Sequence, residues 1–400
     1  MLINNSVSRI CDSISSSEPN GIKVVLGNGF DLFCGLDTKY IHFFKSEKEK
    51  YEEIGKWSES FKDIKVYISG RSDNWKEFGP QYFFNIDFNL WDIYFALAIG
   101  DKDYNWCDIE TEMTKTFTDD GKIKWSRVYT IAKNRYSNLL KADNLEYILA
   151  GYIINKNPDI STTEKFYMFL LEELKKFEKN FGKYVSDEYN KKYDEYLKNA
   201  SIFFSGLKSF DEDIKSIETF NYTNNSVMRI YKSSNFLDDI KHINGDFNNP
   251  IFGVDSSRIH VDKPEVIFTK VSRRLINSTS NDFLIGSTFD EPFNNLVIFG
   301  HSLCEHDYSY FFPILDYLEI ANIMKTSMII FAYNIYDDSK KEDIILDNIR
   351  KVTKLINQYE NYMGKNKENR LMDSLTAQGR IKFFEIIKWF ELKYKFIFIE

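Results

Sequence analysis

The sequence predicts an α/β fold, a mainly parallel sheet covered by helices with a large helical insertion. Three observations carry that prediction. Short apolar runs stand at 22–26, which is rich in β-branched residues, and at 214–219, 240–243, 251–254, 266–269, 296–299 and 328–332, and several of them end in Gly, Asn or Asp. Helical patterns separate several of these runs, and strands alternating with helices pair in parallel and are buried on both faces. Between the first run and the second lies a long stretch, 46–205, whose apolar residues recur at helical rather than strand spacing.

Taken in order, the chain opens with a polar, Ser-rich segment over 1–21 and then gives the run Ile22-Lys23-Val24-Val25-Leu26. Gly27-Asn28-Gly29 ends it, and Phe30, Leu32, Phe33 and Leu36 begin an apolar pattern, so 22–45 reads as strand, tight turn and helix. The 46–205 block is the insertion. Within it Tyr82–Ile99 is dense in aromatics and reads as a buried helix. Phe166, Leu170, Leu174, Phe177, Phe181 and Val185 recur three or four apart on one face, with Ser161 and Glu164 spaced as a capping box. The remainder, 206–400, returns to strands, with helices over Tyr310–Met324 and Asp343–Gln358. The aromatic tail Ile381–Ile399 fits a strand, a docking helix or an oligomer contact equally well.

Composition narrows the function classes. A 400-residue chain that is 43% hydrophobic and 28% charged is globular. Its net charge of −8 provides no field to attract a phosphate backbone, and the Lys runs at 45–50 and 175–191 are interleaved with acids as on solvated helix faces. Nucleic acid is therefore not the expected partner. Cys11, Cys34, Cys107 and Cys304 are scattered without a C-x-x-C pair, so no metal is expected. The N-terminus lacks the apolar core of a signal peptide, and no run reaches the length of a bilayer span. A cytoplasmic location without a membrane partner is the expectation.

The residues that could carry chemistry stand where strands end. In a parallel sheet the carboxyl ends of the strands border the ligand crevice. Gly27, Asn28 and Gly29 open a helix, where glycines let bare backbone approach a phosphate, as in a Rossmann-like dinucleotide site; the same tripeptide is also a common turn. Asp31 and Gly35 follow as a further polar contact and a later glycine. Thr219 and Asn221 close the second run, and the Asn221 amide offers a donor and an acceptor to a ribose hydroxyl or a water, or simply forms a turn. His242 and Asn244 lie two apart and face one side, where His242 could act as a base near neutral pH or serve as a structural, hydrogen-bonded residue. Gly300-His301-Ser302-Leu303 ends the most apolar run, with Ser302 suited to phosphate and His301, His306 and Asp307 adding titratable groups.

These motifs, in this order, resemble the AbiH family. Leu26-Gly27-Asn28-Gly29-Phe30-Asp31-Leu32 with Gly35-Leu36-Asp37-Thr38-Lys39-Tyr40, then Phe220-Asn221-Tyr222-Thr223, His242-Ile243-Asn244-Gly245 and Phe299-Gly300-His301-Ser302-Leu303 are similar to its patterns. The resemblance implies a role in abortive infection, in which an infected bacterium stops growing and the phage fails to spread. A more distant resemblance is to sirtuin-like NAD-binding proteins, through the Gly27, Gly29 and Gly35 spacing, Thr219 with Asn221, and Gly300-His301-Ser302-Leu303. It departs at Asn244, which stands where the sirtuin catalytic His would be. Together the resemblances imply NAD as ligand or substrate. An effector that cleaves NAD would use Asn221, His242 and His301 in catalysis and Gly27, Asn28, Gly29, Asp31, Gly35, Thr219, Asn244, Gly300 and Ser302 in binding. The alternative is a non-catalytic nucleotide-binding sensor or scaffold that recognises a phage-derived trigger or another subunit, with a nucleic-acid effector as a weaker third reading.

Overall fold

Strands β1 (Ile22–Leu26), β2 (Ile214–Thr219), β3 (Lys241–His242), β4 (Asn295–Phe299), β5 (Met328–Tyr333) and β6 (Ile381–Glu385) pair in one parallel sheet. Their order is β3-β2-β1-β4-β5-β6, the doubly wound order in which strand succession reverses between β1 and β4. The α/β class expected from sequence is therefore the fold observed. The structure is a computed structural model, which describes residues 21–47, 88–99, 106–117, 123–134, 144–210, 214–223, 240–280, 289, 292–335, 338–364 and 370–386. The 1–20 segment, the Tyr82–Asp87 part of the expected buried helix and the tail beyond 386 lie outside these residues.

The helices are α1 (Asn28–Phe33), α2 (Tyr40–Ser46), α3 (Leu90–Ile99), α4 (Trp106–Phe117), α5 (Trp125–Lys133) and α6 (Asn144–Lys156). After them come α7 (Thr163–Lys191), α8 (Tyr193–Phe210), α9 (Lys270–Ser280), α10 (Tyr308–Tyr317), α11 (Lys341–Tyr362) and α12 (Arg370–Ala377). Two compact units result. One comprises Met1–Asp37, Ser186–Asp246 and Leu284–Glu400 and holds the sheet; the other comprises Thr38–Val185 and Phe247–Phe283.

In the sheet unit the period-two alternation of each strand feeds two cores. On one face Ile22, Val24, Leu26, Ile217, Val297 and Phe299 pack with Phe30 of α1 and Tyr196, Phe203 and Phe204 of α8. On the other, Val25, Leu296, Ile298, Ile329 and Phe331 meet Phe311, Ile314 and Leu315 of α10 and the buried stripe of α11 and α12. One polar group interrupts the second face. Lys23 is fully buried on β1, donating across to Ser216 Oγ at 2.8 Å and Glu218 Oε1 at 2.7 Å on β2. Tyr310 of α10 donates to the other Glu218 oxygen, so the buried charge is paired and its acceptor satisfied.

The helical unit is aromatic throughout its interior. Tyr40 and Phe43 of α2 pack on Phe177 and Phe181 of α7, and Trp91 and Phe95 of α3 reach Trp125 and Phe177. The periodic face read on α7 is buried as expected. Its cap is shifted by one residue, since Thr162 Oγ1 rather than Ser161 accepts from the Lys165 amide.

Two expected strands are absent. Ile251–Val254 is buried but extended without a ladder, and Pro264–Phe268 is a 3-10 turn; a single parallel bridge, Val254 with Thr269, is all that joins them. The reason lies in where the backbone groups go. Phe252 N–H donates to Glu178 at 2.7 Å and its carbonyl accepts from Arg273 at 2.9 Å, so side chains replace the partner strand. The helix expected to Met324 stops at Tyr317, where Glu319 turns to φ 44° and Ile320 N–H caps back to Leu315 O. Among the described residues no helix is long and apolar enough to cross a membrane.

Candidate functional site

The carboxyl edge of the sheet gathers the strand-end residues. At its centre the β1 and β4 turns interlock. Gly27 N–H donates to Phe299 O at 2.9 Å and Gly29 N–H to Gly300 O at 2.8 Å. A Cβ on Gly27 would lie 2.4 Å from His301 Cα, one on Gly29 2.5 Å from Gly300 Cα, and one on Gly300 2.5 Å from Phe30 N. The three glycines are thus required by mutual backbone contact, and Gly300 also holds φ +66°. The amides of Gly27 and Gly29 are spent on the carbonyls of Phe299, which ends β4, and of Gly300, which follows it. Gly35 serves differently: at φ +97° it reverses the chain after α1, and its carbonyl accepts from Lys192 at 2.9 Å.

Beside this clamp β2 presents a buried polar group. Thr219 Oγ1 accepts from the Asn221 amide N–H at 3.0 Å and sets the turn, and Phe220 N–H continues the pairing to Leu26 O. The Asn221 side chain is 4% exposed, and neither its Oδ1 nor its Nδ2 makes a hydrogen bond. Next to it, Asp31 of α1 accepts from Thr223 Oγ1 at 3.0 Å and from Tyr196 Oη of α8 at 3.3 Å. Burial pushes the Asp31 carboxyl up to about 7, against the downward pull of Thr223, Tyr196 and, more weakly, the nearby Asn221 amide. At neutral pH the carboxyl therefore stands between its acid and carboxylate forms.

The two histidines differ. His242, at the end of β3, places Nδ1 3.1 Å from the Asn221 carbonyl, to which it donates, and the Gly245 backbone is a second polar neighbour of the ring. Burial lowers its pKa from the ordinary value, so the neutral base prevails at pH 7. His301 Nδ1 instead accepts the Leu303 N–H at 2.9 Å, which puts the proton on Nε2, 3.6 Å from Asp307 Oδ2. Its ring is wedged edge-on against Phe220 and Phe311, and Leu303 holds φ 50°, a strained angle for a leucine. Cys304 Sγ donates to the same Asp307 oxygen. Nδ1 of His301 is thus engaged by the Leu303 amide, while its Nε2 faces Asp307 beyond hydrogen-bond distance. Asn244 is buried at 2% exposure just beyond His242.

Of the residues singled out from sequence, all but Gly35 gather along this edge. The structure adds Tyr196 and Thr223 around Asp31. Thr223 lay within a motif already read, whereas Tyr196 sits on a helix far along the chain and carries no local signal.

The family model described as bacteriophage abortive infection AbiH matches residues 24–333. No curated protein and no solved structure gives a significant match. The matched span runs from within β1 to the end of β5 and contains the interlocked glycine turns, the buried Asn221 and both histidines; the chain belongs to the AbiH family of bacteriophage abortive infection.

Proposed function

We propose that this AbiH protein contributes to phage defence by binding NAD or a related nucleotide along the carboxyl edge of its sheet and cleaving it at the nicotinamide bond. The observation that carries the reading is Asn221, whose amide is 4% exposed with donor and acceptor both unmet. A buried polar group left unmet costs about 1–3 kcal/mol, which a ribose hydroxyl or a held water recovers. Its place beside the strand-order reversal is where doubly wound sheets bind nucleotides.

In this mechanism Asn221 orients the ribose and a water. Neutral His242 takes the water proton on Nε2 as the water oxygen bonds to C1′ of the nicotinamide ribose. The C1′–N bond breaks, its electron pair stays on the ring nitrogen, and nicotinamide leaves as a neutral base. Ser302 faces the phosphates, and Asp31 supports the Thr223 and Asn221 side of the crevice. His301, whose Nδ1 is engaged by the Leu303 amide, shapes the turn rather than moving protons. Incubating the full chain with NAD, with and without phage infection lysate, and following nicotinamide by chromatography tests this. Release should be lost in an Asn221→Ala, His242→Ala double variant; equal nicotinamide from variant and wild type defeats the mechanism.

One observation favours a second reading, binding without turnover: Nδ1 of His301 is taken up by the Leu303 amide, which leaves His242 as the base the mechanism relies on. A protein that retains nucleotide on purification but releases no nicotinamide has that role.

A further inference from the structure

Asp31 is held by a closed ring of hydroxyls. Its Oδ1 accepts from Thr223 Oγ1 at 3.0 Å and from Tyr196 Oη at 3.3 Å, and the two hydroxyl oxygens lie 3.3 Å from each other. Asp31 comes from α1, Tyr196 from α8 and Thr223 from the turn after β2, and all three are buried. Tyr189 and Phe30 meet the Tyr196 ring edge to face, which keeps its hydroxyl at the carboxyl.

The triangle has three edges, and the two hydroxyls bring two protons. With Asp31 ionised, both protons point to Oδ1, and the Tyr196–Thr223 edge sets two oxygens face to face with no proton between them. With one proton added at the carboxyl, Tyr196 donates to Thr223, Thr223 to Asp31 and Asp31 to Tyr196, so every edge is filled. The cluster can therefore take up one proton and give it back, and burial, which pushes the carboxyl up to about 7, puts that exchange near neutrality. No cation is among the groups acting on the carboxyl. The other titratable groups facing the ring are Cys34 of α1, whose thiol burial pushes up, and Tyr189 of α7; His242 stands behind the Asn221 carbonyl.

The second carboxyl oxygen, Oδ2, receives only the longer reach of Thr223, at 3.3 Å. The Asn221 amide lies near enough to pull the carboxyl down without making a hydrogen bond. A downward pull is that of a donor, so the amide nitrogen is the end turned to Asp31 and the amide oxygen is the end left for a ligand. A ligand hydroxyl that donates to the amide oxygen polarises the amide, strengthens its nitrogen as a donor and so favours the ionised carboxyl.

We infer that Tyr196 is a positioning residue of this crevice: with Thr223 it holds Asp31 so that the cluster gives up its proton when a hydroxyl-bearing ligand docks at Asn221. The inference rests on the nucleotide reading above and deepens it, because Asn221 then meets the ligand as an acceptor and selects a sugar hydroxyl.

Calorimetric titration of the full chain with ADP-ribose between pH 6 and pH 9 tests it, ADP-ribose being a probe that carries sugar hydroxyls and cannot release nicotinamide. Wild-type affinity should rise about tenfold over that range and level off above about pH 8. Tyr196→Phe removes one donor to the carboxylate and leaves the ring packed, so the rise should move up by about one pH unit. That variant should bind about tenfold more weakly than the wild type at pH 6 and level with it at pH 9. Thr223→Val, which removes the shorter bond, should move the rise further in the same direction, and Asp31→Asn should flatten it. Thermal melts at each pH establish that the variants are folded. Tyr196→Phe weakened by one factor at every pH, or not weakened at all, overturns the positioning role and leaves the nucleotide reading standing. Wild-type affinity that stays level from pH 6 to pH 9 overturns the proton coupling in the same way. ADP-ribose binding by the wild type at no pH ends both.

Discussion

Two buried polar clusters, one in each unit, are built in opposite ways. In the helical unit Arg273 and Glu178 are both buried, and the guanidinium meets the carboxylate with two bonds of 2.9 and 2.7 Å while Phe252 supplies the carboxylate a backbone N–H. Lys270 and Glu110 pair at 2.8 Å nearby. At the carboxyl edge of the sheet, burial is just as deep but pairing is withheld. The Asn221 amide makes no hydrogen bond, and Asp31, on which it pulls weakly, faces hydroxyls instead of a cation. Satisfied polar burial fixes a fold; unsatisfied polar burial is retained at a cost in stability, and function is the usual reason for keeping it.

The contrast is broken most forcefully from the helical side. Arg273→Met should destabilise the protein by about 3–5 kcal/mol, because Glu178 is left buried and uncompensated. Burial already raises the Glu178 carboxyl and Arg273 pulls it down, so losing the guanidinium drives the carboxyl to take up a proton. Adding Glu178→Met should recover most of the loss, since an apolar pair of similar volume replaces the ion pair without a stranded charge. Chemical denaturation of the single and double variants measures both. A double variant as unstable as the single one would show that the pair itself, and not the stranded carboxylate, sets the cost. Neither change should alter nucleotide binding.

Asp31 sharpens the comparison through pH. Its folded value of about 7 lies above the ordinary 3.8, so the folded protein holds the extra proton between those values. The stability it contributes is full below about pH 4 and is lost as pH rises to about 7, on the order of 4 kcal/mol. His242, lowered by burial, works with the opposite sign, losing its contribution as pH falls. Asp31→Asn removes the first slope and keeps the second. Relative to that variant the wild type should lose stability steadily from pH 4 to pH 7 in thermal melts. Parallel pH curves for the two proteins would mean that Asp31 is ionised in the fold.

Much of this site was legible because strand ends are local. Gly27, Asn221, His242 and Gly300 could each be found by watching an apolar run stop, and the parallel order then brought them together. What local pattern could not show depends on contacts far apart in sequence. Tyr196 reaches Asp31 across 165 positions. The engagement of His301 Nδ1 needs the Leu303 amide, and nothing in Gly-His-Ser distinguishes an imidazole so held from a basic one. The false strands at 251–254 and 266–269 failed for a related reason: Glu178 and Arg273 from distant helices took the backbone bonds a neighbouring strand would have made.

The smallest effect is the most discriminating, because its sign separates the two kinds of burial. Asn221→Leu replaces an unpartnered amide with an apolar side chain of similar size. In a site where the amide were structural, the change would destabilise. Here the amide contributes no hydrogen bond to the free protein, and its chain neighbour Phe220 belongs to the apolar core of one sheet face. The free protein should therefore gain about 1–3 kcal/mol, the cost of an unmet buried polar group, while nucleotide binding and nicotinamide release are lost. Thermal melting in the absence of nucleotide reads the first effect and the release assay the second. A variant that melts below the wild type would place Asn221 with Arg273 and Glu178, among the groups that hold the fold together.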